Sequence, residues 1–112
     1  MKQAYLAIDE GTTNCKALAV SRGGEVLAAG SHAVDLTLPG PGLFEQDGEQ
    51  IAAAMAASIE QCLSGLTDTE IIGIGISNQR ESVIAFSRST GTPLGPVIGW
   101  QDSRTSDAAA RL

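Results

Sequence analysis

The sequence has few cysteine residues and no pattern that joins them. Its two cysteines, Cys15 and Cys62, belong to no Cys-x-x-Cys pair and to no mixed cluster of cysteine and histidine. Disulfide frameworks and zinc sites need several such residues at short spacings. We therefore interpret both residues as small buried thiols and expect neither a disulfide nor a zinc site.

Basic residues are also scarce. Seven lysine and arginine residues stand against thirteen aspartate and glutamate residues, so the net charge is −6, and the acidic residues are spread along the chain. A protein that binds nucleic acid needs a basic stripe to neutralise the phosphates. The composition therefore argues against a nucleic-acid partner.

Long hydrophobic runs are missing as well. No segment is apolar for long enough to cross a bilayer, and the first residues reach Asp9 without the apolar core of a signal peptide. We expect no membrane partner and a cytoplasmic location. The chain has 112 residues, of which 43% are hydrophobic and 18% charged, and this is typical of one small globular domain.

Three short apolar segments predict the opening of a sheet. Residues 4–8 and 17–20 flank a polar turn and favour a hairpin of two buried strands. A glycine-rich turn at 22–25 then leads to a third strand at 26–34. The pattern predicts a three-stranded antiparallel meander, followed by a loop rich in proline and glycine at 38–42.

An alanine-rich segment predicts a helix over residues 47–63. Asp47 suits the N-cap of this helix, and Gly65 suits its C-terminal stop. Apolar residues recur at every fourth position on the face that we expect to be buried: Ile51, Met55, Ile59 and Leu63.

The remaining segments predict an α/β fold. The continuously apolar run at 71–76 indicates a central strand covered on both faces. We expect further strands at 82–86 and 97–100, a turn at 90–93, and the start of a helix from Ser103. A meander, a helix and a buried strand make a layered structure with a mixed sheet. Because the last predicted helix is cut off at the final residue, we expect an incomplete domain.

The turn after the first strand carries groups suited to phosphate. Asp9 is followed by Gly11, by Thr12 and Thr13, and then by Lys16. Successive backbone N–H groups in such a turn form an anion cradle, threonine hydroxyls donate to phosphate oxygens, and a carboxylate suits Mg²⁺. The segment is not a P-loop, because Gly-x-x-x-x-Gly-Lys does not occur. A plain hairpin with an Asx-turn is the alternative interpretation.

Four segments, taken in order, resemble the FGGY carbohydrate kinases. Residues 7–16 are similar to the family's first phosphate motif, and residues 44–47 to the segment before its first helix. Residues 75–81, Gly-Ile-Ser-Asn-Gln-Arg-Glu, and residues 99–105, Gly-Trp-Gln-Asp-Ser-Arg-Thr, resemble its glycerol kinases in particular. The resemblance spans nearly the whole chain and identifies residues 1–112 as the N-terminal part of the first domain of such a kinase.

The resemblance implies a ribonuclease-H-like, actin-like fold in which two domains close on ATP and substrate. It also implies transfer of the γ-phosphoryl group of ATP to a hydroxyl of a polyol or sugar. By motif position, Mg²⁺ would lie near Asp9. The residues that would lie near the β- and γ-phosphates are Gly11, Thr12, Thr13, Asn14 and Lys16.

The same resemblance places Arg80, Glu81 and Trp100 at positions that hold glycerol. Glutamate accepts hydrogen bonds from hydroxyls, arginine donates a fixed fork, and tryptophan covers a carbon backbone. Taken without their neighbours, Arg80 and Glu81 are alternatively a solvated pair, and Trp100 is alternatively a core anchor. No catalytic base is assigned in this chain, because the family's catalytic aspartate lies beyond residue 112.

Two alternative functions remain open at this point. The first keeps the fold and changes the substrate to another sugar such as xylulose. The second is a non-catalytic binding module built on an actin-like half-domain.

Further expectations concern structural contacts and assembly. We expect Asp102 and Arg104 to make structural contacts and Glu45 to cap or brace the helix at Asp47. A sheet without its later strands would expose apolar surface and an unpaired edge. We therefore expect this chain to form homo-oligomers.

Overall fold

A computed structural model describes residues 1–112. The predicted α/β class with a mixed sheet is confirmed. In chain order the elements are β1 (Lys2–Glu10), β2 (Asn14–Ser21), β3 (Val26–Ala33), β4 (Glu45–Gln46), α1 (Gly48–Ser64), β5 (Thr69–Asn78), β6 (Val97–Ile98) and α2 (Ser106–Ala110).

The main sheet has the strand order β3-β2-β1-β5. The first three strands pair antiparallel, which confirms the predicted meander, whereas β5 runs parallel to β1. In this register Glu10 lies beside Asn78 of β5, and Asp9 lies opposite Lys16 of β2. The carboxyl ends of β1 and β5 therefore meet at one edge of the sheet, next to the β1–β2 turn.

One face of this sheet is buried because side chains alternate along each strand. Every second residue of a strand points to the same face. On the other face of β1, Tyr5 and Asp9 are exposed. The residues that form the core between the sheet and α1 are Ala4, Leu6, Ile8, Ala17, Ala19 and Cys62.

Both predicted ends of α1 are confirmed. The Asp47 carboxylate accepts a hydrogen bond from the backbone N–H of Glu49 at 2.9 Å and so satisfies one free donor of the first turn. At the other end Gly65 is the C-cap, and its backbone N–H donates to the carbonyl of Cys62.

The buried face of α1 is shifted by one residue along the helix from the predicted face. Leu63 is exposed, and the other three residues of the predicted face are only half-buried. The cause lies in β3, where a Cβ added to Gly30 would overlap the carbonyl oxygen of Ser58. Helix and strand approach too closely here for large side chains. The fully buried residues of α1 are therefore small: Ala54, Ser58 and Cys62.

The prediction that residues 71–76 form a strand is confirmed, but the prediction that it is central and covered on both faces is wrong for this chain. Strand β5 is at the edge of the sheet. Ile74 and Ile76 are 65% and 67% exposed. The reason is that α1 packs over β2 and β3 and leaves β5 uncovered.

The last third of the chain contains less regular structure than predicted. Residues 82–86 form no strand, only isolated bridges at Val83 and Phe86. Strand β6 is shorter than the predicted one and pairs with β4, which the sequence did not predict. A turn is present but lies earlier than the predicted 90–93, at residues 88–90, and Gly91 follows it with a φ of 75°. The terminal helix starts at Ser106.

Both cysteines are buried and unpaired, as predicted. Burial raises the pKa of the Cys15 thiol and of the Cys62 thiol above the ordinary value. Since the thiolate is the reactive form of cysteine, this burial lowers the reactivity of both residues. No helix of the chain has the length and apolarity needed to span a membrane.

Gly30→Ala is expected to destabilise the protein by about 1–3 kcal/mol, because the added methyl group pushes α1 away from β3. Denaturation with urea measures this loss. Gly75→Ala is the matched control, since a Cβ on this strand glycine meets nothing within 4 Å. Equal unfolding midpoints for the two variants would contradict the close approach of helix and strand.

Candidate functional site

A polar cleft of about 340 Å³ lies at the edge of the sheet where β1 and β5 end. It brings together six of the nine site residues predicted from the sequence, whereas Thr13, Asn14 and Lys16 are not in its lining. The lining residues are Asp9, Glu10, Gly11, Thr12, Asn78, Gln79, Arg80, Glu81 and Trp100.

The β1–β2 turn forms one wall of the cleft. The backbone N–H of Gly11 donates to the carbonyl of Asn14 at 2.9 Å and closes the hairpin. The backbone N–H groups of Thr12 and Thr13 have no partner within the chain. Two adjacent donors are therefore available to an anion, although the Gly11 donor is already used.

Asp9 and Lys16 are opposite each other across β1 and β2, and both are exposed. They form no ion pair. Lys16 lines a neighbouring hollow, together with Ser77, and Asp9 borders both that hollow and the cleft. The positive charge of Lys16 thus lies beside the cleft and not in its wall.

Arg80 and Glu81 follow β5 and form the opposite wall. Both are exposed, and neither side chain makes a hydrogen bond or an ion pair within the chain. Glu81 has a φ of 69°, in the left-handed region that residues with a Cβ adopt only at a cost. Such backbone strain is typical of functional segments. The two charged side chains are free to contact a ligand.

Trp100 reaches across the cleft from the loop after β6. Its indole Nε1 donates to the hydroxyl of Thr12 at 3.1 Å, and its backbone N–H donates to the hydroxyl of Ser82 at 3.1 Å. Trp100 is 52% exposed, so the interpretation of this residue as a core anchor is wrong. The hydrogen bond to Thr12 holds the edge of the indole ring, and the exposed ring can contact a small apolar surface.

An ionic clamp fixes the loop that carries Trp100. Arg104 contacts the carboxylates of Asp102 and Glu45, each at 2.7 Å, and Asp102 accepts a hydrogen bond from the backbone N–H of Phe44 at 2.8 Å. The structural contacts predicted for Asp102 and Arg104 are confirmed. The prediction that Glu45 caps the helix is wrong, since Asp47 caps it and Glu45 binds Arg104.

Sequence reasoning missed the hydrogen-bonded polar residues in and beneath the lining of the cleft. Gln46 and Glu10 are only 2% and 9% exposed, and both contact the side chain of Gln79, which in turn contacts Ser82. One signal was present in the sequence: the alternation of β1 places Glu10 on the buried face. A carboxylate at an inward position needs donors nearby, and its position therefore predicts a polar network.

Residues 4–112 match the family described as the FGGY family of carbohydrate kinases, N-terminal domain. An apulose kinase from Pectobacterium atrosepticum is 50% identical over 99 residues, which are 88% of this chain and 20% of that protein. A glycerol kinase from Citrifermentans bemidjiense is 38% identical over 109 residues, which are 96% of this chain and 22% of that protein.

A crystal structure of glycerol kinase from Plasmodium falciparum with ADP has the same fold. It superposes with a TM-score of 0.89 at 27% sequence identity and covers 98% of this chain and 22% of its own. This similarity confirms the predicted actin-like fold. The chain spans about a fifth of the length of the proteins that it matches.

Asp102→Asn is expected to destabilise the protein at neutral pH and to destabilise it less as the pH falls below about 4. Hydrogen bonds from Arg104 hold the pKa of Asp102 well below its usual range. A carboxyl group whose pKa is lowered by folding stabilises the protein above its unfolded pKa of about 3.9, and this contribution is lost as the pH falls toward the folded pKa.

Urea midpoints of wild type and variant, measured near neutral pH and at about pH 3, test this expectation. Asp107→Asn, at an exposed aspartate of α2, is the control. A difference between wild type and Asp102→Asn that is the same at both pH values would show that the clamp does not depend on the charge of Asp102.

Proposed function

Because the chain belongs to the FGGY family of carbohydrate kinases, we propose that it contributes half of an active site that transfers the γ-phosphoryl group of ATP to a hydroxyl of a polyol or sugar. The observation that carries this proposal is the hydrogen bond between Thr12 and Trp100. It joins the turn that suits phosphate to Trp100, which suits the carbon atoms of a polyol or sugar. The phosphoryl donor and the hydroxyl that accepts the phosphoryl group would therefore meet in one cleft.

On the nucleotide side, the turn offers donors to the phosphates. The free N–H groups of Thr12 and Thr13, with their hydroxyls, suit phosphate oxygens, and we assign Asn14 and Lys16 to the flanks of the same group. Asp9 is an exposed carboxylate at the border of the cleft, and no cluster of three or more metal-ligating side chains is present. This fits Mg²⁺, which is held by one or two carboxylates together with nucleotide phosphates. When bound, Mg²⁺ would neutralise charge on the transferred group.

On the acceptor side, three side chains would orient the substrate. The Glu81 carboxylate accepts hydrogen bonds from hydroxyls, the Arg80 guanidinium donates to oxygens, and the exposed face of Trp100 covers carbon atoms. Phosphoryl transfer depends mainly on such positioning. No residue of this chain is assigned as the base that takes the hydroxyl proton. We propose that this base lies in the rest of the protein and that residues 1–112 are part of its first domain.

Glycerol is the acceptor that we propose first, because residues 75–81 and 99–105 resemble those of glycerol kinases. A ketose is the second candidate. It is supported by the sequence identity to an apulose kinase, which at 50% is higher than the 38% identity to a glycerol kinase. The reaction consumes ATP, and we propose the cytoplasm as its location for that reason.

The test is phosphorylation by the full gene product that carries this chain, with Mg²⁺-ATP and a panel of glycerol, xylulose and apulose. Glu81→Gln is expected to lower kcat/KM for the true acceptor by about 10- to 100-fold, since a hydrogen bond to a charged group contributes about 1.5–3 kcal/mol. Arg80→Ala is expected to act in the same direction. Glu60→Gln, at an exposed site on α1, is the matched control.

The panel also separates the alternatives. Turnover of a ketose but not of glycerol would replace the first candidate with the second. Nucleotide binding without phosphorylation of any hydroxyl compound would favour a non-catalytic binding module and overturn the proposal.

We further propose that the 112-residue chain, when produced by itself, self-associates through β5. This edge strand exposes Ile74 and Ile76, and Phe86, which lines the same pocket as Ile76, is 58% exposed. Light scattering is expected to show dimers or larger assemblies. Ile74→Lys is expected to reduce them. Val26→Lys, at an exposed position on β3, is the control and is expected to leave them unchanged. A monodisperse monomer would contradict this.

A further inference from the structure

A closed ring of hydrogen bonds, partly in the lining of the cleft and partly beneath it, joins the β1–β2 turn to Trp100. Trp100 donates from its indole to Thr12 and from its backbone to Ser82. The Ser82 hydroxyl donates to Gln79 Oε1 at 2.8 Å. Gln79 Nε2 donates to Gln46 Oε1 at 2.9 Å, and Gln46 Nε2 donates to the backbone oxygen of Thr12. We call these five residues the Gln79 ring.

The direction of each amide in the ring is fixed by its neighbours. Gln46 Nε2 contacts two backbone carbonyls, those of Thr12 and Asp35, which only accept hydrogen bonds. Its Oε1 must therefore face Gln79. Gln79 Nε2 also donates to the Glu10 carboxylate at 2.9 Å, and an ionised carboxylate likewise only accepts. Neither amide can be reversed without placing two acceptors together.

Gln79 is anchored to the end of β1 as well as to the other residues of the ring. Its backbone N–H donates to the Glu10 carbonyl at 2.9 Å, as the continuation of the pairing between β1 and β5. Glu10 is 9% exposed and forms no ion pair. The hydrogen bonds to its carboxylate come from the backbone and side-chain nitrogens of Gln79. This arrangement holds the Gln79 amide against the rigid end of β1.

We propose that Gln79 is a positioning residue that sets the distance between the phosphate-binding turn and Trp100. Through Gln46 it fixes the backbone of Thr12, and through Ser82 it fixes the backbone of Trp100. The inference rests on the proposed function, because the two walls are assigned to nucleotide and acceptor there. Gln79 itself need not touch either ligand to act in this way.

The test compares Gln79→Met, Gln46→Met and the double variant in the full gene product. Methionine keeps the length of the side chain and removes its donors and acceptor. Each single variant is expected to raise the KM for the acceptor by about tenfold, since one lost hydrogen bond shifts an equilibrium by about that factor. The double variant is expected to be no worse than the poorer single variant, because both changes open one ring. Gln3→Met, at the exposed start of β1, is the matched control.

Trp100 emission provides a readout that a purely structural role would not move. The difference spectrum against Trp100→Phe isolates this residue, and its emission maximum is expected to shift in Gln79→Met while the protein stays folded. Ser82→Ala opens the ring by removing only one hydroxyl, and it carries the same test if Gln79→Met does not fold.

Three results would overturn the proposal. These are additive effects of Gln79→Met and Gln46→Met, an unchanged Trp100 emission, and a lowered unfolding midpoint with unchanged KM. Failure of the wild type to phosphorylate any acceptor would instead refute the proposed function. Trp100 emission and the additivity of the unfolding free energies would then still decide whether Gln79 holds the ring.

Discussion

The parallel pairing of β1 with β5 is the contact on which the candidate site depends. It places the end of β5 next to the β1–β2 turn. Arg80 and Glu81, which follow β5, therefore line the same cleft as the turn. A register shift between Ala4 and Tyr5 sets the alignment that puts Glu10 beside Asn78. Because side chains alternate, a slip of one residue would turn the wrong face of β5 to the cleft. The site is thus a consequence of strand register more than of any single side chain.

The polar network beneath the cleft is a second constraint, and it has a cost. Burying the Glu10 carboxylate without a cation is unfavourable, and the hydrogen bonds from Gln79 offset only part of that cost. An apolar residue at this inward position would continue the core of Leu6 and Ile8. The benefit of the network lies in the geometry of its hydrogen bonds. Each bond fixes the distance and direction between two groups, whereas packed methyl groups would leave the walls free to shift.

The sequence predicted the local structure well, because local structure depends on near neighbours. The meander follows from alternation and glycine turns, and the ends of α1 follow from Asp47 and Gly65. The buried face of α1 was missed because it depends on Gly30 of a distant strand. Strand β4 was missed because its two residues pair with a segment far along the chain. The edge position of β5 is likewise a property of the whole sheet.

The candidate site was predicted in part for the same reason. The motifs identified six of the nine residues that line the cleft, since each motif is contiguous in the sequence. The Gln79 ring joins residues from four separate segments, and no spacing rule relates them. Only Glu10, polar at an inward position of β1, indicated that such a network exists.

The charge of the cleft limits how a nucleotide can bind there. The cleft is lined by three acidic residues, Asp9, Glu10 and Glu81, and by one basic residue, Arg80. Its lining therefore carries a net negative charge. ATP carries several negative charges, and the backbone donors of the turn alone would have to overcome this repulsion. A divalent cation at Asp9 would offset this negative charge, and Lys16 would add positive charge from the adjoining hollow. An uncharged polyol meets no such barrier, and for it the same carboxylates are hydrogen-bond acceptors. These electrostatics support the proposal that a divalent cation would accompany the nucleotide and that Glu81 would face the acceptor.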